Sequence, residues 1–320
     1  MTVLVTGGTG YLGRAIVRAL AAAGHRLVVF ARGASRSGLP GRPVDGDIRD
    51  ADAVERAAAG CDAISHSAAL VSIWRRRSQE FDEVNVGGLQ HVMAAARRHR
   101  IPRIVYTSSF LALPPRDRDT TIEANDYQRT KVLADRAADE AVRAGAPIVR
   151  VYPGVIYGPG AFSEGNLVGR LIADHLQHRL PGLIGPEHPW SYAYVDDVAA
   201  GHLAALERGE IGARYRLGGE NATLYRVFDL VHAATGRPRP MRIPFPIADA
   251  LGAVEELRVR LFGGTPLVTR GAVEIFRHDW SLDSQEAVDA LGYTMTPLAD
   301  GIPRTIASIV GSEGTRPTAS

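Results

Sequence analysis

The N-terminal stretch Thr2-Val3-Leu4-Val5-Thr6-Gly7-Gly8-Thr9-Gly10-Tyr11-Leu12-Gly13 decides the fold. A β-branched apolar run meets glycines spaced Gly-xx-Gly-xx-Gly, and a helical pattern begins at Tyr11. In such a unit Gly7 permits the tight turn, Gly10 lets a pyrophosphate approach the backbone, and Gly13 lets the helix pack on the strand. The helix N-terminus offers free N–H groups to the anion. We predict a dinucleotide site built from Gly7, Thr9, Gly10, Tyr11, Leu12 and Gly13.

The first half of the chain repeats this alternation of strand and helix. Strand patterns at 27–30, 63–64, 104–106 and 148–151 alternate with helical patterns at 51–59, 79–99 and 126–144. Such repetition predicts parallel strands with right-handed crossovers, the doubly wound α/β class with a Rossmann sheet. Glycine and proline become frequent from Pro153 onward, which indicates a smaller C-terminal substrate-binding region.

These changes of pattern give predicted boundaries. We expect a dinucleotide-binding domain at 1–152, to which 190–218 returns. The substrate-binding region then takes 153–189 and 219–311 and is built on the same sheet. Residues 312–320 contain no large apolar side chain and predict a flexible tail.

The composition is that of an ordinary globular protein. The 320 residues are 45% hydrophobic and 22% charged, with a net charge of +2, which disfavours disorder and nucleic-acid binding. Cys61 is the only cysteine, so an intrachain disulfide is excluded and a reducing compartment is expected. No signal sequence opens the chain, and no apolar run reaches the ~18 residues of a membrane span. We expect a soluble cytoplasmic protein.

Two further patterns are assigned no ligand. His175 and His178 share a helical face without further ligands, so we predict no metal site. The stretch 246–263 is apolar enough to suggest a membrane surface, but it carries Glu255, Glu256, Arg258 and Arg260. We therefore assign it to a helix of the substrate-binding region and expect no membrane partner.

The residues after the second strand favour one dinucleotide. An NAD site places a carboxylate about 20 residues past the glycines, whereas an arginine accommodates the 2′-phosphate of NADP. Here Arg32 and Arg36 occupy that segment, while Asp45 and Asp47 come later and belong to the next strand. We predict NADP(H) as the cofactor.

A tyrosine and a lysine stand one helical turn apart in the second half of the domain. Tyr127 and Lys131 share one helical face, and Lys131 is the only lysine among 37 basic residues. A neighbouring ammonium stabilises a phenolate and lowers its pKa. Upstream, a strand ends in Ser108 and Ser109 at the carboxyl edge of the sheet, where ligands bind in this fold class. A serine there can hold a carbonyl while the tyrosine transfers the proton.

Together these motifs resemble the extended short-chain dehydrogenase/reductase family, in its dihydroflavonol 4-reductase and 3β-hydroxysteroid dehydrogenase branch. The resemblance implies that Tyr127 is the acid/base, that Lys131 holds the nicotinamide ribose, and that Ser109 is the catalytic serine, with Ser108 one register away. It implies a water relay or a structural role for Asn85. It also implies cofactor contacts from Asp47, Ile48, Ser67, Ala68, Ala69, Pro153, Gly154 and Val155.

Three reactions are compatible with these residues. The first is hydride transfer between NADP(H) and a ketone or secondary alcohol. The second is nucleotide-sugar epimerisation with bound NAD, and the third is non-catalytic NADP sensing. Phe110-Leu111-Ala112 after Ser109 lacks the acidic pair of a dehydratase. We expect the first reaction, on an apolar or aromatic carbonyl compound held near Phe110, Leu111, Trp74, Phe162 and Trp190-Ser191-Tyr192.

Alanine is frequent on several faces of the helical patterns at 79–99 and 126–144. Small side chains let helices of two subunits approach closely, and relatives in the family often pair these helices. We therefore expect a homodimer.

Overall fold

The structure, a computed structural model, describes residues 1–160 and 164–313. The strands are β1 (Thr2–Thr6), β2 (Arg26–Ala31), β3 (Arg42–Asp45), β4 (Ala63–His66), β5 (Ile104–Thr107), β6 (Ile148–Pro153), β7 (Val155–Tyr157), β8 (Leu183–Ile184), β9 (Pro189–Tyr194), β10 (Arg214–Leu217), β11 (Glu220–Thr223) and β12 (Arg242–Ile243). The helices are α1 (Tyr11–Ala22), α2 (Ala51–Ala58), α3 (Gln79–Phe81), α4 (Gly88–His99), α5 (Asp126–Arg143), α6 (Leu167–Leu176), α7 (Val195–Arg208), α8 (Leu224–Thr235), α9 (Phe245–Phe262), α10 (Arg270–Ile275), α11 (Gln285–Leu291) and α12 (Leu298–Glu313).

A seven-stranded parallel sheet forms the larger part, in the order β10-β6-β5-β4-β1-β2-β3. The strand order reverses between β1 and β4, which opens a crevice at the carboxyl ends of these two strands. Alternate residues of β1 face opposite cores, because Val3 and Val5 pack with α1 and α7 while Leu4 packs with α2 and α4. The predicted doubly wound α/β fold is confirmed.

The C-terminal region has small sheets of its own. β7, β9 and β11 form a three-stranded sheet, and β8 pairs with β12. The sequence analysis expected this region on the main sheet and expected residues 190–218 to return to it. In the structure β9 lies in the smaller sheet, and the return begins with α7, which packs on α1, and is completed by β10. Trp190 and Tyr192 of β9 are buried among apolar residues of the C-terminal region, which explains the difference.

The predicted helix at 79–99 is interrupted. After α3 the chain makes a π-helical turn at Asp82–Gly87, and α4 follows. Gly88 opens α4 against Ile48, where a Cβ would lie 2.7 Å from the Ile48 Cγ1. The wider turn carries Asn85 into the interior, where it is 3% exposed. A π-helical turn of this kind inside a helix is frequent at functional sites.

Two expectations concern residues outside the described part of the chain. Phe162, expected near the substrate, and residues 314–320 of the expected tail lie outside the described residues. Within the described part of the chain, no helix is long and apolar enough to cross a membrane.

Candidate active site

The loop between β1 and α1 has the shape that a pyrophosphate requires. Gly7 has a φ of +73°, and a Cβ there would lie 2.6 Å from the Ala68 backbone. A Cβ on Gly13 would lie 2.1 Å from the Gly7 carbonyl oxygen. Gly10 caps α1 without a side-chain hydrogen bond, so the first N–H groups of the helix remain available to an anion. These observations fit a dinucleotide pyrophosphate.

The remaining residues of this loop surround the helix start. The Thr9 carbonyl accepts a hydrogen bond from Arg14 Nε at 3.1 Å, and Leu12 packs against the core. Tyr11 lies under the segment after β7, because a Cβ on Gly158 would be 3.4 Å from the Tyr11 hydroxyl oxygen. That segment therefore covers the beginning of α1 and narrows the crevice above the loop.

Both predicted arginines at the end of β2 are exposed to solvent. Asp45 belongs to β3, as expected, but parallel pairing sets it opposite Ala31 at the end of β2. Its carboxylate accepts hydrogen bonds from the Ser35 amide at 2.9 Å and the Ser35 hydroxyl at 2.5 Å. These bonds lower the pKa of Asp45. A fixed anion therefore stands near Arg32 and Arg36, which the sequence alone did not indicate.

The predicted adenine edge lies just beyond β3. Asp47 is held by Arg49, whose Nε and Nη2 donate to its two carboxylate oxygens at 3.0 and 2.7 Å. The paired guanidinium lowers the pKa of Asp47. Ile48 is 7% exposed and packs against the start of α4. Asp47 is thus already engaged by the protein itself.

The segment after β4 lines the other side of the crevice. The Ser67 hydroxyl donates to the Thr6 carbonyl oxygen at 2.9 Å, and Ala68 lies against Gly7. Asn85, which lies in the π-helical turn, binds the residues that follow Ala68, because its Oδ1 accepts from the Leu70 N–H at 2.7 Å. Its amide Nδ2 donates to Thr130 Oγ1 at 2.9 Å. Asn85 therefore ties this segment, which includes Ala69, to α5.

The structure brings Tyr127 and Ser109 together. Asn125 caps α5 by accepting from the Gln128 N–H at 2.9 Å, and this places Tyr127 in the first turn, beside the end of β5. Burial raises the pKa of Tyr127 to about 12, although a hydrogen bond with the Ser109 side chain opposes the rise. The phenol is therefore protonated at neutral pH.

Lys131 has a different local role from the one expected. Its Nζ donates to the Thr107 carbonyl oxygen at 3.0 Å, and the side chain is buried. Burial lowers the pKa of Lys131 to about 8, and the charge of Asp135 opposes that shift. The sequence analysis expected Lys131 to lower the pKa of Tyr127. Instead the ammonium is bound by the strand end, and burial dominates the pKa of the phenol.

Ser108 points away from Tyr127 into a buried network. Its hydroxyl donates to Asp135 Oδ1 at 2.9 Å, and the Tyr152 hydroxyl donates to the same oxygen at 2.8 Å. Asp135 is buried, which raises its pKa. Sequence reasoning missed Asp135, although it lies one helical turn after Lys131 on the same face. Of the two serines, Ser109 is the one that faces the phenol.

His202 of α7 supports the same strand end. Its Nδ1 lies 2.8 Å from the Val198 carbonyl, which can only accept, so Nδ1 carries the proton. Its Nε2 then accepts from the Thr107 hydroxyl at 2.9 Å. Burial lowers the pKa of His202 to about 4, which keeps the ring neutral. Thr107 is thus fixed on its side chain by His202 and on its carbonyl by Lys131.

The predicted carboxamide segment links the two parts of the molecule. Pro153 ends β6 and Val155 begins β7. Between them, the Gly154 N–H donates to the Leu217 carbonyl oxygen at 3.1 Å, and a Cβ on Gly154 would lie 2.5 Å from the Ser191 carbonyl oxygen. The backbone of this segment is therefore packed tightly between β9 and β10.

Four aromatic residues, Phe110, Trp190, Phe276 and Trp280, form a cluster that we call the aromatic wall. Phe110 packs with Trp190 at a ring-centroid distance of 6.1 Å and with Trp280 at 5.4 Å, and Trp190 stacks on Phe276 at 4.8 Å. Tyr127 packs against this cluster, which also contains Leu111 and Tyr192. Trp74 is partly exposed, and its carbonyl oxygen accepts a hydrogen bond from the Ser72 hydroxyl at 2.9 Å. Trp280 and Phe276 were not predicted, since nothing in the local sequence marks them.

Comparison with known proteins agrees with this geometry. Residues 3–218 match the model of the NAD-dependent epimerase/dehydratase family. The chain belongs to this family. It is 33% identical over 315 residues to Sterol demethylase protein B of Methylococcus capsulatus, which covers 92% of this chain and 94% of the relative.

Other relatives carry reductase names. The chain is 31% identical over 336 residues to 2-alkyl-3-oxoalkanoate reductase of Stenotrophomonas maltophilia, covering 96% of this chain and 99% of the relative. The fold of this chain is similar to the crystal structure of gox2253, with a TM-score of 0.83 and 29% identity, over 98% of this chain and 99% of the other. The predicted place in the extended short-chain dehydrogenase/reductase branch is confirmed, and a nicotinamide cofactor and oxidoreductase-type chemistry follow from it.

Proposed function

We propose that the protein is an NADP(H)-dependent ketoreductase that interconverts a ketone and a secondary alcohol on an apolar or aromatic small molecule. The observation that carries the proposal is the placement of the Tyr127 phenol beside Ser109 at the mouth of an aromatic cluster. The bound cofactor would supply the hydride for reduction and accept it in the reverse direction. The glycine loop would hold its pyrophosphate and Arg32 its 2′-phosphate.

The protein's own residues account for the proton. Ser109 donates a hydrogen bond to the substrate oxygen and holds it next to Tyr127. The raised pKa of Tyr127 keeps its hydroxyl protonated at neutral pH, and that hydroxyl gives its proton to the oxygen as the carbonyl is reduced. Lys131, fixed by the Thr107 carbonyl, takes no part in this proton transfer and would hold the nicotinamide ribose of the bound cofactor.

The wall of the site supports the substrate class. Phe110, Trp190 and Trp280 form a buried, uncharged aromatic cluster against which Tyr127 packs, so an alkyl or aromatic ketone next to Tyr127 gains more there than a charged sugar nucleotide. The relatives named for a sterol demethylase and a 2-alkyl-3-oxoalkanoate reductase point the same way. The NADP(H) requirement and the buried free thiol of Cys61 favour a reducing compartment, which we propose is the cytoplasm.

The test is NADPH oxidation, followed by absorbance, with a panel of steroidal, aromatic and long-chain alkyl ketones. We expect at least one apolar ketone to be reduced with NADPH and much more slowly with NADH. The outcome that overturns the proposal is interconversion of a nucleotide sugar with no net change in cofactor, which is the reaction of an epimerase.

A further inference from the structure

Helix α9 presents large apolar side chains to solvent. Eight of the twelve exposed large hydrophobic residues in the described part of the chain lie between residues 241 and 267. Those in α9 recur at helical spacing, and their exposed fractions run from 48% to 82%. They are Ile247, Leu251, Val254, Leu257, Leu261 and Phe262. Such a continuous outward stripe marks an interaction surface.

The acidic residues of α9 are bound by other groups of the protein. Glu255 accepts from the Leu267 N–H at 2.9 Å, and Glu256 accepts from the Arg270 N–H at 2.9 Å. Asp249 is paired with Arg277. The buried side of the helix is small, because a Cβ on Gly252 would lie 2.9 Å from the Arg270 nitrogen. The helix is thus held by its acidic and small residues, with its apolar face outward.

The charge left around that face is positive. Arg260 is exposed and has no ion-pair partner among the described residues, whereas Arg258, whose side chain is 42% exposed, is paired with Glu255 at 2.9 Å. The carboxylates beside them are only 13% to 16% exposed. A two-fold contact between copies would bring these arginines together. An anionic surface would instead be attracted to them.

The start of α9 and the following α10 contact elements near the proposed site. Phe245, at the start of α9, lies under the Arg277 guanidinium at 4.3 Å, and Phe276, next to Arg277 in the chain, stacks on Trp190. After α9, Gly271 of α10 packs so closely that a Cβ would lie 2.1 Å from the Ala124 carbonyl oxygen. Ala124 stands three residues before Tyr127. These contacts fix the position of α9 on the protein and leave its apolar face free.

We propose that α9 docks the protein on an anionic lipid bilayer, lying in the interface with its apolar face among the acyl chains and its arginines at the headgroups. This revises the expectation of no membrane partner, which depended on the charged residues within 246–263. The acidic residues of this stretch are bound by the protein's own groups, and its two arginines border an outer face that is otherwise apolar. The proposal does not depend on the reaction that is catalysed.

The test is co-sedimentation of the full chain with vesicles of phosphatidylcholine, with and without about 30% phosphatidylserine. We expect binding to the anionic vesicles that weakens as salt is raised. The double variant Leu257→Gln, Leu261→Gln should weaken binding at least about tenfold, since two apolar side chains no longer enter the bilayer. Arg260→Gln should reduce the preference for anionic lipid.

A matched control makes the same change at exposed apolar residues elsewhere, Ile211→Gln and Val310→Gln, and should bind as the wild type does. Light scattering of each variant reports the oligomeric state. Absence of vesicle binding by the wild type would overturn the proposal, as would equal binding to neutral and anionic vesicles. If the α9 variant instead halves the mass of a wild-type dimer that ignores vesicles, a second copy covers the face.

Discussion

The cofactor half and the substrate half of this molecule are built on different principles. In the seven-stranded sheet the strand ends meet at one crevice, and backbone groups form much of it. They include Gly7 with its positive φ, the Thr107 carbonyl that binds Lys131, and the free N–H groups at the start of α1. In the C-terminal region two small sheets support a wall of aromatic side chains and an outward apolar helix. We propose that the crevice built from backbone groups binds the cofactor and that the aromatic side chains select the substrate.

The largest expected effect comes from removing the proposed proton donor, Tyr127 of α5. Tyr127→Phe keeps the ring and deletes the hydroxyl, so turnover should fall at least ~100-fold while NADPH affinity and stability persist. Steady-state kinetics and fluorescence titration of NADPH measure these separately. Tyr157→Phe makes the same change at a buried hydroxyl without a hydrogen-bond partner and should be near neutral. Comparable turnover in both variants would remove Tyr127 from the chemistry.

Cofactor preference tests the edge of the cofactor half. Arg32 can meet a 2′-phosphate with charge-assisted hydrogen bonds of about 1.5–3 kcal/mol each. The nearby carboxylate of Asp45 and the solvent reduce that gain, so we expect a preference for NADPH over NADH of roughly 10- to 100-fold. Arg32→Ala should weaken NADPH and leave NADH nearly unchanged in isothermal titration. Equal wild-type affinity for the two cofactors would show that Arg32 is an ordinary surface residue.

Acid should weaken the cofactor half in particular. Burial lowers the pKa of His202 to about 4 and that of His66 to about 3. Between pH 6.5 and these values the unfolded chain binds protons that the folded chain does not, so stability falls as the pH is lowered. From pH 7 to pH 5 each histidine should cost about 2 kcal/mol, roughly thirtyfold in the unfolding equilibrium. In urea unfolding, His202→Gln should reduce the loss of unfolding free energy between pH 7 and pH 5 by about 2 kcal/mol. If the variant lost as much stability as the wild type over this range, the prediction would be wrong.

The two serines after β5 offer the finest comparison. Ser109→Ala removes the hydroxyl that faces Tyr127 and that accepts from the Leu111 N–H at 3.2 Å, so we expect turnover to fall about tenfold and stability to fall by about 1 kcal/mol. Ser108→Ala leaves Asp135 with one donor fewer and should cost about 1–2 kcal/mol of stability while turnover stays within a few-fold. Kinetics and thermal unfolding of both variants decide between them. A larger loss of turnover in Ser108→Ala than in Ser109→Ala would show that Ser108, not Ser109, binds the substrate oxygen.

The division also explains what could be predicted from the sequence. The glycine loop, the strand alternation and the Tyr127–Lys131 spacing are local patterns, and they predicted the main sheet and the elements around the crevice. A strand at Asp45 was expected, but its bounds were not predicted and Asp47 lies outside it, because the residues of β3 are mostly exposed and form no apolar run. The interruption at Asn85 depends on contacts with Leu70 and Thr130, which are distant in sequence.

The substrate half was harder because its contacts are almost all nonlocal. β9 contains apolar residues that suit either sheet, and only its pairing with β7 and β11 assigns it. Trp280 reaches the wall through an isolated bridge to Trp190, 90 residues earlier in the chain. The Asp45–Ser35 contact likewise requires the register of two strands. Pattern reasoning therefore succeeds where chemistry follows the strand ends and fails where side chains assemble from separate segments.

The most direct test of the central claim is the fate of the cofactor's hydrogen. NADPH deuterated at the transferred position is incubated with the best ketone from the panel, and product and cofactor are analysed by mass spectrometry. The account predicts one deuterium on the carbinol carbon of each alcohol formed, one NADP⁺ released per turnover, and loss of both in Tyr127→Phe. Recovery of the cofactor unchanged, with a substrate inverted at one carbon and free of deuterium, would contradict it.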